Sequence, residues 1–306
     1  MTLYPYVGNG PYCYSNTLLT ALARSDLPLS TLETLTGSPF GFQLLFGELP
    51  LFDPLGWDPD LGVDQALNLL GYTWQTRSLG NEAEALTFLR EELKGGPVFV
   101  GPVDMGLLKH QPESDRASGA DHFVTVLEIA DDLVFMHDPQ GHPWAALPLN
   151  LFLQAWKAEQ IGYAEPFTLR HHFRQEKNVA PLDAVRDSLP LARRWLKGRD
   201  DLGCPPGTLG GSEGLRVLAD RIAGDFSDDL RGTLIHFGIR VGARRKADAA
   251  LTLANIDQVE AAEVLQSQAK TLGALQYPAM VRDTATLADR LQRLADLHEH
   301  LEQMLA

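Results

Sequence analysis

"DHFVTVLEIADDLVFMHDP", residues 121–139, decides how the first half of the chain is read. Two runs rich in Val, Phe, Ile and Leu, 122–130 and 133–139, are separated by a short acidic connection. Residues of this type bounded by Gly, Pro and Asp predict β-strands, and so short a connection predicts an antiparallel hairpin. In such a hairpin the start of one strand lies beside the end of the other. His122 and Asp138 are thereby expected within hydrogen-bond reach.

A third β-like run, "GPVFVGPVD" (96–104), precedes the hairpin, and helical patterns fall at about 14–24, 63–70, 82–94 and 149–158. Beyond residue 178 the strand signals stop. Leu, Ala and Val recur at three-to-four-residue spacing over 181–198, 213–223, 247–272 and 280–305. The expectation is an α+β domain with an antiparallel sheet over 1–178, followed by an all-α domain over 179–306. The stripe Leu287, Leu291, Leu294, Leu297, Leu301 and Leu305 is expected to pack within that helical domain, with homodimerisation as the alternative.

The 306 residues are 44% hydrophobic and 22% charged, in keeping with a folded globular chain rather than a disordered or fibrous one. A net charge of −14 argues against nucleic acid or an anionic membrane surface as partner. The N-terminus "MTLYPYVGNGPY" lacks a basic region followed by an apolar core, and no apolar run reaches the ~20 residues of a bilayer span, so cytoplasmic residence is expected. The two cysteines, Cys13 and Cys204, are far apart and outside any CxxC, which argues against a disulfide framework and a thiolate metal site.

Cys13 follows a Gly-Asn-Gly-Pro turn at the start of an apolar-periodic segment, "CYSNTLLTAL". A thiol at a helix N-terminus feels unpaired backbone N–H groups and the positive end of the helix dipole, both of which favour thiolate. The same position also suits a buried small apolar residue. A cysteine nucleophile needs a base, usually His, held by an acid or amide. The order Cys13, His122, Asp138 supplies that set, with the Cys13 backbone N–H as oxyanion donor and Ser15, Asn16 and Thr17 able to cap or donate. His137 faces away from Asp138 on an alternating strand and is the weaker base. His171 and His172 are adjacent and expected to point apart, and His298 and His300 stand two apart on a helix, so no metal site is expected. The Gly groups at 207–214 lack the Lys of a phosphate loop.

In order and spacing, "YCYSNTLLTAL", "FGFQLLFGE", "GPVFVGPVDMGLLKHQP", "DHFVTVLEIADDLVFMHDPQG" and "LPLNLFLQAW" resemble the butirosin biosynthesis protein H N-terminal family. That family is a branch of the papain-like peptidases similar to the bacteriocin-leader (C39-type) proteases. The resemblance covers roughly residues 10–165. It implies a papain-like catalytic domain and, as reaction, transfer of an acyl group from an acyl carrier protein thioester to an amine in antibiotic or other secondary metabolism. The nucleophile falls on Cys13, the base on His122 and the third member on Asp138, and Asp104 matches an acid that ends the preceding strand, a candidate for holding a cationic acceptor. Where the family commonly has His before the cysteine, this chain has Tyr12, and the usual oxyanion Gln has no counterpart, so Asn9, Asn16 or backbone amides would serve. No cofactor is implied beyond the phosphopantetheine of the carrier. A basic face for an acidic carrier is expected from Arg170, Arg174, Arg193, Arg194, Arg244 and Arg245. The competing readings are a papain-like peptidase or amidase and a non-catalytic binding protein on the same fold.

Overall fold

The computed structural model describes residues 12–112, 114–197 and 203–305. In chain order the elements are α1 (Cys13–Leu22), α2 (Leu29–Leu35), β1 (Gln43–Leu45), β2 (Leu49–Leu51), α3 (Asp60–Leu69), β3 (Tyr72–Arg77) and α4 (Glu82–Glu92). Then come β4 (Val98–Asp104), β5 (Asp121–Ala130), β6 (Leu133–Asp138), β7 (His142–Pro148), α5 (Leu149–Trp156) and β8 (Leu169–Gln175). The remainder is α6 (Pro181–Leu196), β9 (Leu209–Gly210), α7 (Gly211–Gly224), α8 (Asp228–Thr233), α9 (Ile239–Ala254), α10 (Val259–Gly273), α11 (Gln276–Val281) and α12 (Thr284–Met304). This is an α+β chain with antiparallel sheets, as expected.

The chain forms two compact units. The first is built from the segment ending at Leu27 together with Gly71–Lys177. Its six-stranded sheet runs β3-β8-β4-β5-β6-β7, with every neighbouring pair antiparallel. Val98 and Val100, Val124 and Val126, and Val134 and Met136 recur at every second position and are buried with Leu89 of α4 and Phe152 and Trp156 of α5. The side-chain period of two thus selects one sheet face for the core. Asn81 caps α4 by accepting the Glu84 N–H at 3.0 Å, and Glu82 and Glu84 stand in the first turn where the helix dipole favours anions. At the tip of the β5–β6 hairpin Ala130 pairs with Leu133, leaving a two-residue turn. Asp131 and Asp132 adopt φ of 49° and 59°, the left-handed pair whose twist matches the flanking strands.

The second unit is built from Pro28–Leu70 together with the chain from Asn178 on, which corrects the expected division into 1–178 and 179–306. The chain does change units at 177/178, but residues 28–70 belong with the C-terminal helices. Phe42, Leu44 and Phe52 are buried among Leu215, Leu218, Ile222, Leu272, Leu287 and Leu291. Arg245 also pairs with Glu33 at 2.6 Å and Asp53 at 3.0 Å, all three buried. Nor is this unit all-helical: β9 completes a small antiparallel sheet of order β2-β1-β9. The helix expected over 247–272 is two, broken between Ala254 and Val259. Of the leucine stripe, Leu287, Leu291, Leu294, Leu301 and Leu305 are buried within the chain itself, as intradomain packing requires. Among the described residues no helix is long and apolar enough to cross a membrane.

Candidate active site

Helix α1 begins at Cys13, and the residue before it, Tyr12, makes no side-chain capping bond. Cys13 is part-buried. Three interactions fix this helix to β5, the strand that carries His122. Thr17 Oγ1 donates to the Phe123 carbonyl at 3.0 Å, Thr125 Oγ1 donates to the Thr17 carbonyl at 3.3 Å, and the Tyr14 and Phe123 rings meet edge to face. They set the start of the helix against the start of the strand.

The β5–β6 register, with Thr125 opposite His137 and Val126 opposite Met136, places His122 and Asp138 as diagonal neighbours on one face. His122 Nε2 lies 2.8 Å from Asp138 Oδ1, and both side chains are buried. The Cys13 thiol lies beside the His122 imidazole, near enough to add to the ring's hold on its proton. Since Asp138 takes Nε2, Nδ1 is the ring nitrogen left for the thiol.

Two residues that sequence reasoning did not assign complete the site. His110 Nε2 and Gln111 Nε2 both reach Asp138 Oδ2, at 2.7 Å and 2.6 Å, and the Gln140 backbone N–H donates to Oδ1 at 2.8 Å. The carboxylate is thereby held by four donors. Burial raises the pKa of Asp138, but the His122 charge and these hydrogen bonds outweigh it and hold the carboxyl well below the usual carboxylate range. Burial conversely lowers His122, and the Asp138 charge and hydrogen bond outweigh that, with Cys13 adding to them, so that the imidazole is pushed up to about 10. The site therefore favours a charged imidazolium between a carboxylate and a thiol.

Several expected roles change. The Asp104 carboxylate is buried and accepts from Gly106 N, Ser118 N, Ser118 Oγ and Gly119 N at 2.9–3.2 Å. It ties down the loop after β4 and is not presented to a substrate. Asn16 is fully buried and gives an Nδ2 N–H to the Tyr12 carbonyl at 2.7 Å, so its amide is turned back onto the start of its own helix. Tyr12 serves through that carbonyl, which also accepts the Asn16 backbone N–H at 2.9 Å. Asn9 lies outside the described residues. In the expected basic face, Arg170 is buried over the Phe99 ring and Arg245 is taken by its two carboxylates, whereas Arg174, Arg193 and Arg194 are exposed. His137 accepts the Trp144 backbone N–H on Nδ1, and the buried His298 contacts the Leu196 carbonyl, so each has a structural partner. Cys204 Sγ accepts a hydrogen bond from Gln43 in the second unit.

Residues 205–306, all within the second unit, match the model of the YobF C-terminal domain family. Over nearly its whole length the chain is also similar to "Uncharacterized protein YobF" of Bacillus subtilis (strain 168). The two are 29% identical over 307 residues, which take in 96% of this chain and 96% of that protein. The likeness therefore runs through both units.

Proposed function

We propose that the protein is a cysteine-dependent acyltransferase with a papain-like catalytic unit, moving an acyl or aminoacyl group from a carrier-protein thioester to a small amine. The observation that carries this reading is the convergence of a part-buried cysteine at a helix start, an imidazole beside it and a carboxylate held by four donors. Held charged by Asp138 beside a thiol at a helix start, the His122 imidazolium favours the nucleophilic thiolate form, and the mechanism starts from that thiolate–imidazolium pair.

From that state the Cys13 thiolate attacks the thioester carbonyl while the α1 N-terminal amide of Cys13 faces the developing oxyanion. The tetrahedral intermediate collapses with loss of the carrier thiolate, which takes the proton from His122. An amine then adds to the acyl-enzyme, His122 accepts its proton, and the Cys13 thiolate leaves as the amide is released. Asp138 stabilises the imidazolium and fixes the ring. The closeness of the Cys13 thiol to His122 is what speaks against a non-catalytic protein whose thiol goes unused. A peptidase or amidase would use the same three residues, with water in place of the amine.

The test is intact-mass analysis of the full chain with a short acyl thioester, before and after addition of a polyamine or amino sugar. One acyl adduct on Cys13 is expected, discharged faster by the amine than by water and absent from Cys13→Ala. An adduct that persists in Cys13→Ala would overturn the mechanism, and discharge indifferent to the amine would favour hydrolysis.

A further inference from the structure

We propose that Glu92, His171 and His172 form a site for one divalent first-row transition ion, with Zn²⁺ the ion their donors suit best. The site shares no residue with Cys13, His122 or Asp138 and does not depend on the function proposed above. Adjacent strand residues ordinarily face opposite sides of a sheet. Here that alternation fails, because His172 has φ of 53° and the β3–β8 register shifts between Thr73 and Gln75, opposite the stretch from His171 to Arg174. The two imidazoles turn to the same side, with ring centroids 4.4 Å apart. Left-handed backbone at a residue other than Gly costs about 1 kcal/mol or more and persists where surrounding structure enforces it.

Glu92, at the end of α4, brings its carboxylate to both rings. Oε2 lies 2.8 Å from His171 Nδ1 and 3.5 Å from His172 Nε2, and the three ligand atoms all fall within 4.8 Å of one another. Around a tetrahedral Zn²⁺ with ligand bonds of ~2.0–2.1 Å, neighbouring donors stand roughly 3.3 Å apart. The observed spacings straddle that value, and His172, half of whose side chain is exposed, is free to adjust.

His171 supplies an independent indication. It is buried, its ring meets Phe88 edge to face, and among the described residues neither of its nitrogens has a hydrogen-bond partner. A buried polar group left so costs about 1–3 kcal/mol. The 2.8 Å approach to Glu92 lacks hydrogen-bond alignment, which is the arrangement of donors whose lone pairs converge on a point between them rather than on each other. Two imidazoles with one carboxylate favour Zn²⁺ and its neighbours over Mg²⁺ or Ca²⁺, which take oxygen ligands. Three protein ligands leave a fourth position, on the exposed His172 side, for water or an external anion.

The test uses the full chain, stripped with chelator and dialysed, titrated with Zn²⁺ by calorimetry and with Co²⁺ by its visible absorption. One equivalent is expected to bind, with a tetrahedral Co²⁺ spectrum and a raised melting temperature. Losing a ligand should weaken binding by at least the ~10-fold typical of outer-sphere changes, so His172→Ala and Glu92→Gln should both fall by that much or more. Because His172 is half-exposed, its apo melting temperature should match wild type, and Cys13→Ala should keep its equivalent. No uptake by wild type, undiminished uptake in both ligand variants, or loss in Cys13→Ala would overturn the assignment.

Discussion

At the scale of single residues, the thiol is defined by its imidazole and the imidazole by its carboxylate. Four donors on Asp138 keep it ionised inside the protein, and its charge carries His122 to about 10 against the opposing effect of burial. The proton therefore stays on His122 throughout the neutral range and leaves only as pH rises through that value. The pairing of His122 with Asp138 was legible because a short turn between two alternating strands fixes register, and a fixed register decides which side chains can meet. His110 and Gln111 were not legible, since they belong to a loop after β4 whose path no periodicity sets. The His171–His172 pair misled for a related reason: alternation holds only while φ stays extended, and nothing in "LRHHFRQ" announces a left-handed residue.

At the scale of elements, the active geometry depends on how α1 is fixed to β5. Thr17 is buried, and its hydroxyl serves the Phe123 carbonyl one residue beyond His122. Thr17→Val keeps the volume and removes that donor, at a cost of about 1–3 kcal/mol for the carbonyl left without it. The expected result is a lower melting temperature together with slower Cys13 labelling, and an unchanged value for both would show that this contact positions nothing. Elements with clear apolar patterns were legible: the strands at 98–104, 121–130 and 133–138 and the helices α4, α5, α6 and α12 fall close to where periodicity puts them. Strands β1 and β2, of three residues each, are too short to show a period. In β3 only Tyr72 is buried, so there is little alternation to read.

At the scale of the whole molecule, the sequence suggested one crossing between domains where the chain makes three, leaving the first unit after Leu27, returning at Gly71 and leaving again after Lys177. Composition does not change around 28–70, and membership of the second unit is decided by long-range packing and charge pairing that no local window contains. The central pairing is Arg245 between Glu33 and Asp53. Replacing the guanidinium by an apolar chain of similar length, Arg245→Met, leaves two buried carboxylates without their cation. A loss of about 3–5 kcal/mol is expected in urea unfolding, recovered in large part by adding Glu33→Gln and Asp53→Asn. Equal stability of Arg245→Met and wild type would mean that the network does not hold 28–70 in the second unit.

The proposed thiolate–imidazolium pair is tested most directly by the rate of Cys13 alkylation with iodoacetamide as a function of pH, read by peptide mass. A free thiol with pKa ~8.5 is only roughly 0.3% thiolate at pH 6. The wild-type protein should react at pH 6 far faster than that fraction allows, with a nearly level profile through neutrality, while His122→Ala and Asp138→Asn fall towards the free-thiol curve. A wild-type profile that simply titrates near 8.5, unchanged by either substitution, would contradict the account.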